Sequence, residues 1–304
     1  MSAALTGLAL LAAALMGAAL QRGATCLVVA VDEVMEHRRV SRLLAIVAAA
    51  GCVSASLLLL RDLGMPAMPP AGRALGSAVL AGSLAMGVGA VINGACAFGT
   101  VARLGAGEWA YAATPVGFFA GCTLVRALGW QAAMPVHDAA PLFALPAGSG
   151  WVATALAMAG CAALLLRRRF DGLAATVAIG WTFALLLVAA GAWAYTDLLA
   201  ELAQGMQAGV GWRIALTVAL LVGSLVAGCH AWRAQWPPPR QWLRCGAGGA
   251  LMGLGGSLVP GGNDGLLLLA MPLGWPYAWA AFVAMVAAIA AGLAWRRRVK
   301  AVRV

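Results

Sequence analysis

Apolar residues in this chain run in blocks and do not alternate. Near-continuous Ala, Leu, Val and Gly fill nine stretches, at about 2–20, 42–60, 74–93, 108–128, 150–166, 172–194, 211–231, 242–260 and 276–295. Each approaches the roughly 20 residues a helix needs to cross the hydrocarbon core of a bilayer. The pattern predicts an all-α polytopic membrane protein of about nine transmembrane helices, forming one integral domain over 1–304. Polar residues collect between the blocks, in connections that are short apart from loops at about 129–149 and 195–210. The proline run WPPPRQW (236–242) stiffens one further connection.

Within the blocks one phrase recurs. LMGAALQRGATC (15–26), AMGVGAVINGAC (85–96) and LMGLGGSLVPGG (251–262) align, and Met-Gly pairs occur only there. Each phrase closes a predicted span and precedes a segment too short to cross again: 25–37, 96–105 and 263–274. The outline is a helix, a break at membrane depth and a re-entrant half-helix. Backbone that leaves the helix there must be buried in protein or line a cavity, because lipid offers its amides no partner. An offset of 166 residues pairs Gly82 with Gly248, Met86 with Met252, Gly87 with Gly253, Gly89 with Gly255 and Cys96 with Gly262. Between halves at about 1–128 and 150–295, joined by the loop at 129–149, the second and third phrases run in opposite directions. That is an inverted repeat, a plan that places a site between broken helices.

Charge orients the chain. The net charge of +10 invites nucleic acid as a partner, but the placement of the cations excludes it. With the N-terminus outside, every Lys and Arg except Arg61, Arg73, Arg126 and Arg213 falls on the inner side, among them Arg167, Arg168, Arg169 and Arg233 and the tail Arg296 to Arg303. This positive-inside bias predicts a multi-pass inner-membrane protein with a cytoplasmic C-terminus. No charge precedes Arg22, so the first block reads as a span and not as a cleavable signal.

Seven cysteines, none in a C-x-x-C pair and most inside spans, argue against a disulfide framework. Cys52, Cys122, Cys161, Cys229 and Cys245 read as small packing residues. Cys26 and Cys96 differ, because each directly follows a break and can face a cavity. A half-helix opening there offers free amides and the positive end of its dipole to an anion. Arg22 and Arg103 lie close in sequence, either snorkelling to the interface or guiding an anion. Thr25, Asn93, Asn263 and Asp264 can hydrogen-bond a solute or cap the half-helices, and Glu108 can cap the next span or pair with Arg103. Histidines 37, 137 and 230 are scattered without metal-ligand spacing. Thiols, positive helix ends and few carboxylates suit a small, partly soft anion such as one with a terminal sulfur.

The stretch Cys96-Ala97-Phe98-Gly99-Thr100-Val101-Ala102-Arg103-Leu104-Gly105-Ala106-Gly107 resembles the C-x-x-G-x-x-x-R-x-G-x-G signature of the YeeE/YedE family of sulfur-compound transporters. Gln21 to Cys26 is similar to that family's first cysteine motif, and Gly248 to Gly253 with Gly261, Gly262 and Asn263 to its third. The resemblance implies a nine-span, hourglass-shaped permease without cofactors, in which thiols relay thiosulfate inward by transient S–H contacts. It makes Cys26 and Cys96 two of three pathway cysteines and puts Gly262 where the third would stand. The expected pathway is Cys26, Cys96, Arg22, Thr25, Asn93, Arg103, Gly261, Gly262, Asn263 and Asp264. Two other readings compete: a membrane enzyme that takes sulfur from a donor on a thiolate, and a docking subunit that hands sulfur to a cytoplasmic sulfur-carrier protein.

Overall fold

Every predicted apolar block is occupied by a helix. The computed structural model describes residues 3–23, 25–64, 72–130, 136–137, 140–166, 172–206, 209–229, 237–259 and 261–302. Arg167, Arg168, Arg169, Arg233, Arg303 and His230 lie outside them. The helices are α1 (Ala3–Gly23), α2 (Leu27–His37), α3 (Ser41–Asp62), α4 (Ser77–Asn93), α5 (Ala97–Gly105), α6 (Ala113–Ala127), α7 (Ser149–Leu166), α8 (Leu173–Ala190), α9 (Tyr195–Gln204), α10 (Val210–Gly228), α11 (Pro239–Leu258), α12 (Gly262–Gly265) and α13 (Pro276–Val302). A two-residue antiparallel bridge, β1 (Gly72–Arg73) with β2 (Val136–His137), ties two loops together.

Among the described residues five runs are long and apolar enough to cross a membrane: Ala3–His37, Ser41–Asp62, Ser77–Gly105, Val210–Gly228 and Pro276–Val299. A sixth is the pair Ala174–Ala190 and Tyr195–Gln204, bent by 45° at its break. Large apolar side chains stay exposed along these helices, Leu5, Leu8, Leu11 and Leu15 on α1 and Trp151, Val152 and Leu156 on α7. Such faces suit lipid and not water.

The 166-residue offset carries the whole first run of helices onto the second. It maps α1 on α8, α2 on α9, α3 on α10, α4 on α11, α5 on α12 and the turn after it, and α6 on the middle of α13. α7 alone has no counterpart among the described residues. A loop was expected over about 195–210, but Tyr195–Gln204 is helical and occupies the place that α2 holds in the first copy. The sequence concealed it because the second copy reads WTFALLLVAAGA where the first reads LMGAALQRGATC, so neither Met-Gly nor Cys marks the break.

Packing follows the same relation. α4 lies on α11 and α1 on α8, each against its own counterpart, while α1 meets α10 as α8 meets α3, and α6 meets α11 as α13 meets α4. At the α4–α11 seam the exchange reaches single residues: Gly89 faces Gly248 and Met252, and Gly255 faces Gly82 and Met86. Reciprocal contact of this kind is the mark of a two-fold relation. Small residues on both sides let the backbones approach, which stands in for the hydrophobic drive that lipid does not supply.

A Cβ at Gly89 would lie 2.7 Å from the Gly248 carbonyl oxygen and 2.8 Å from the Met252 amide nitrogen, backbone atoms that cannot turn aside. Gly89→Ala is therefore expected to destabilise the protein by about 1–3 kcal/mol. Gly160→Ala, at a position with nothing within 4 Å of the added carbon, should be neutral or slightly stabilising. Thermal unfolding of both variants in detergent checks the contrast, and equal melting of the two would count against a tight seam.

Candidate functional site

Four half-helix starts meet in the middle of the bundle. Why the chain breaks is clearest after α4. Gly94 takes φ +85° and closes the helix in the left-handed conformation, which a residue with a Cβ adopts only with strain. Asn93, fully buried, staples the break. Its Nδ2 donates to the Ala95 carbonyl at 2.7 Å and to Thr100 Oγ1 at 3.1 Å, and its Oδ1 accepts from Thr114 Oγ1 at 2.9 Å. Asn93 thus spends its whole side chain on holding α4, α5 and α6 in register.

Cys26 and Cys96 precede α2 and α5 in extended backbone, and both are buried. The Leu27 amide donates to Cys96 Sγ at 3.3 Å, and the Cys96 amide donates to Cys26 Sγ at 3.4 Å. Each half-helix start is capped by the other's thiol, so the pair expected from sequence is brought together. Gly99 makes room: a Cβ there would lie 2.6 Å from Cys26 Sγ. Thr25, also buried, stands beside them at the end of the first break.

From the thiols the contacts continue. Tyr195 Oη, at the start of α9, donates to the Ala97 carbonyl in the first turn of α5 at 2.9 Å. Thr196, the next residue of α9, donates its hydroxyl to Asp264 Oδ1 and its amide to Asp264 Oδ2, the latter at 3.3 Å. The starts of α2, α5, α9 and α12 are therefore linked in series. The 166-residue offset carries Cys26 to Ala192 and Cys96 to Gly262, so the second copy has no thiols there and is joined instead through Thr196 and Asp264, a few residues further along. Position 262, the counterpart of Cys96, is a glycine at φ +54°, and a Cβ there would lie 2.7 Å from Thr196 Oγ1.

Between these starts lies a cavity of about 10 Å³, lined by Met16, Phe98, Phe183, Trp193, Tyr195 and Asp264 among others. That is room for about one water. A second cavity of about 80 Å³ lies on the other side of Tyr195, walled by Thr100, Pro115, Leu198, Thr217 and Leu220. Two buried polar groups near these starts lack partners among the described residues: the indole nitrogen of Trp193, which lines the narrow cavity, and both amide atoms of Asn263, the neighbour of Asp264 in the chain. Because burying an unpaired polar group is costly, such groups point to a solute that completes them.

Of the remaining expected residues, the two arginines sit apart from this centre. Arg22 is exposed at the end of α1. Arg103 ends α5, where its Nη1 donates to Glu108 at 2.9 and 3.1 Å and its guanidinium lies over the Tyr111 ring, 5.5 Å from the centroid. Gly261 and Gly262, both at positive φ, form the break before α12. Trp193, Tyr195 and Thr196 were not anticipated, although the 166-residue offset applied to the first phrase would have pointed to them. Of the cysteines read as packing, Cys122 donates to the Gly253 carbonyl at 3.3 Å, and Cys52 and Cys161 lie with their sulfurs 3.4 Å apart between α3 and α7.

A protein-family model described as sulphur transport matches residues 22–291, a span that takes in all four breaks. No curated protein matches the chain.

Asn93→Ala strands the Thr114 hydroxyl and the Ala95 carbonyl in the interior. An expected loss of about 1–3 kcal/mol should appear as a lower midpoint in denaturant titration of the purified protein, and an unchanged midpoint would show that the staple is idle.

Proposed function

The chain belongs to the sulphur transport family, YeeE/YedE, and from that premise we propose that it is a permease for a small sulfur-containing anion, thiosulfate first among candidates. The observation that carries the reading is the thiol pair Cys26–Cys96 at two half-helix starts, linked through Tyr195 to the α9 and α12 starts, where a one-water cavity lies. A terminal sulfur that carries negative charge accepts hydrogen bonds from thiol S–H and from amide N–H. The two thiols already hold amide hydrogens with their lone pairs and hydrogen-bond to each other, so one S–H of the pair is left to give. α2 and α5, of eleven and nine residues, aim their positive ends at the same place.

Closely fitted apolar side chains on either side of the constriction keep bulk water out while a solute is passed from one set of donors to the next. Phe98, Phe183 and Trp193 are the bulky ones, and their side chains are the part that has to yield. The proposal includes nine spans, an inner-membrane location, an external N-terminus and a cytoplasmic C-terminus. α7 supports that topology, since one unpaired helix between two copies of four long helices turns the second copy over. Of the expected pathway residues, Cys26, Cys96, Thr25, Gly261, Gly262, Asn263 and Asp264 stand at the breaks. Asn93 is assigned to holding them, and Arg103, ion-paired with Glu108, to the mouth.

Cells that depend on this protein for sulfur should take up labelled thiosulfate, and Cys96→Ala should cut that uptake at least about tenfold, a loss of roughly 1.4 kcal/mol of passage free energy. Absence of uptake with the protein in the membrane would remove thiosulfate. Full uptake by the variant would remove the thiols from the path.

A further inference from the structure

Most carboxylates in this protein are neutralised in place. Asp32 and Glu36 meet Arg297, Glu33 meets Arg42, Asp62 meets Arg61, Glu108 meets Arg103 and Glu201 meets Arg213. Among the described residues only Asp197 and Asp264 have no cation within ion-pair distance. Asp264 is the deeper of the two, 2% exposed, and its carboxyl group lines the one-water constriction.

Its hydrogen bonds give it a place in the path. Asp264 takes the Thr196 amide and hydroxyl, the donors at the positive end of the ten-residue helix α9. An anion crossing the bundle would use those same donors. While ionised, the carboxylate occupies the end of α9 and repels any anion that arrives. Once protonated it gives up that hold and has an O–H to offer, and the stranded amide of Asn263 and the indole N–H of Trp193 stand beside it to complete the shell.

Resting on the transport reading above, we propose that Asp264 is a proton-operated stopper: one proton must bind its carboxylate before the anion can take its place at Thr196, so the proton and the sulfur anion travel together. The other groups facing Asp264 fit this role. On α9, Tyr195 is committed to the Ala97 carbonyl, and Asp197, the other acid without a cation, reaches toward Gly265 and lies close enough to Asp264 that the two carboxylates repel each other, which favours a proton on the pair. Further along α9, Glu201 is held by Arg213 of α10. Cys96 on the α5 side is bound into the thiol pair. α1, α8 and α10 present only Met16, Leu20, Phe183 and Leu220 to the cavity. No cation stands close enough, among the described residues, to do the proton's work.

The test reconstitutes the full chain in vesicles with a pH-sensitive dye inside and labelled thiosulfate outside. Thiosulfate itself keeps both charges from about pH 6 to about pH 8, so any pH dependence belongs to the protein. The wild type should acidify the lumen as thiosulfate enters, and its uptake should fall toward about tenfold per pH unit on the alkaline side. Asp264→Asn should import at the same rate across that range without moving protons. Thr196→Val, which removes one donor from the carboxylate, should shift the fall in uptake to higher pH. Thiosulfate entry without acidification, or an Asp264→Asn profile that keeps the wild-type slope, overturns the inference and leaves the transport reading standing. No thiosulfate entry at any pH overturns the transport reading and the inference with it.

Discussion

Four interruptions of helical backbone inside an apolar bundle set the terms for everything else. Each interruption frees amides and carbonyls that lipid cannot satisfy, at a cost of several kcal/mol apiece if left alone. At three of the four the protein meets that demand with a side chain from a different segment. Sulfur of Cys96 caps α2, sulfur of Cys26 caps the approach to α5, and the Asp264 carboxylate caps α9. Since each of these caps belongs to another break, the three starts depend on one another and on α12.

The two-fold exchange of packing partners explains why they meet at all. The α4–α11 and α1–α8 pairs stand against their own counterparts, so the segments that follow them are carried toward a shared centre from opposite ends. The close approach rests on glycine at 82, 89, 248 and 255, and the thiol and carboxylate links are built on the geometry that this approach fixes. What differs between the copies is then chemistry on a common frame: two thiols in one, Ala192 and Gly262 at the matching positions of the other, with a hydroxyl and a carboxylate making the link a few residues further along.

Much of this was legible in the sequence, and the reasons are physical. Blocks of apolar residues announce buried or lipid-facing helix because nothing else satisfies backbone there, and all nine blocks are helical. Cys26 and Cys96 could be singled out because a thiol after a glycine-rich break has few structural reasons to be there. α9 was hidden, because its break is made by Gly191 at φ +80° without the Met-Gly pair or the Cys that accompanies the breaks before α2 and α5. Arg22 and Arg103 looked close to the thiols along the chain, yet Arg22 is exposed in the last turn of α1 and Arg103 lies at the far end of α5, paired with Glu108. Asn93 looked like a solute ligand, and three satisfied hydrogen bonds make it a fastener. Sequence distance reports reach poorly wherever a helix runs away from the residue that begins it.

The glycine seam also bears on how such a molecule can change over generations. A bulkier residue at 89 would push on 248 and 252, and one at 255 on 82 and 86, so either copy's seam is tethered to the other and the pair must stay in step. The half-helix starts carry no such tether to their own counterparts, because Cys96 touches Cys26 and position 262 touches Thr196. The same architecture therefore holds sulfur at the starts of one half and oxygen at those of the other.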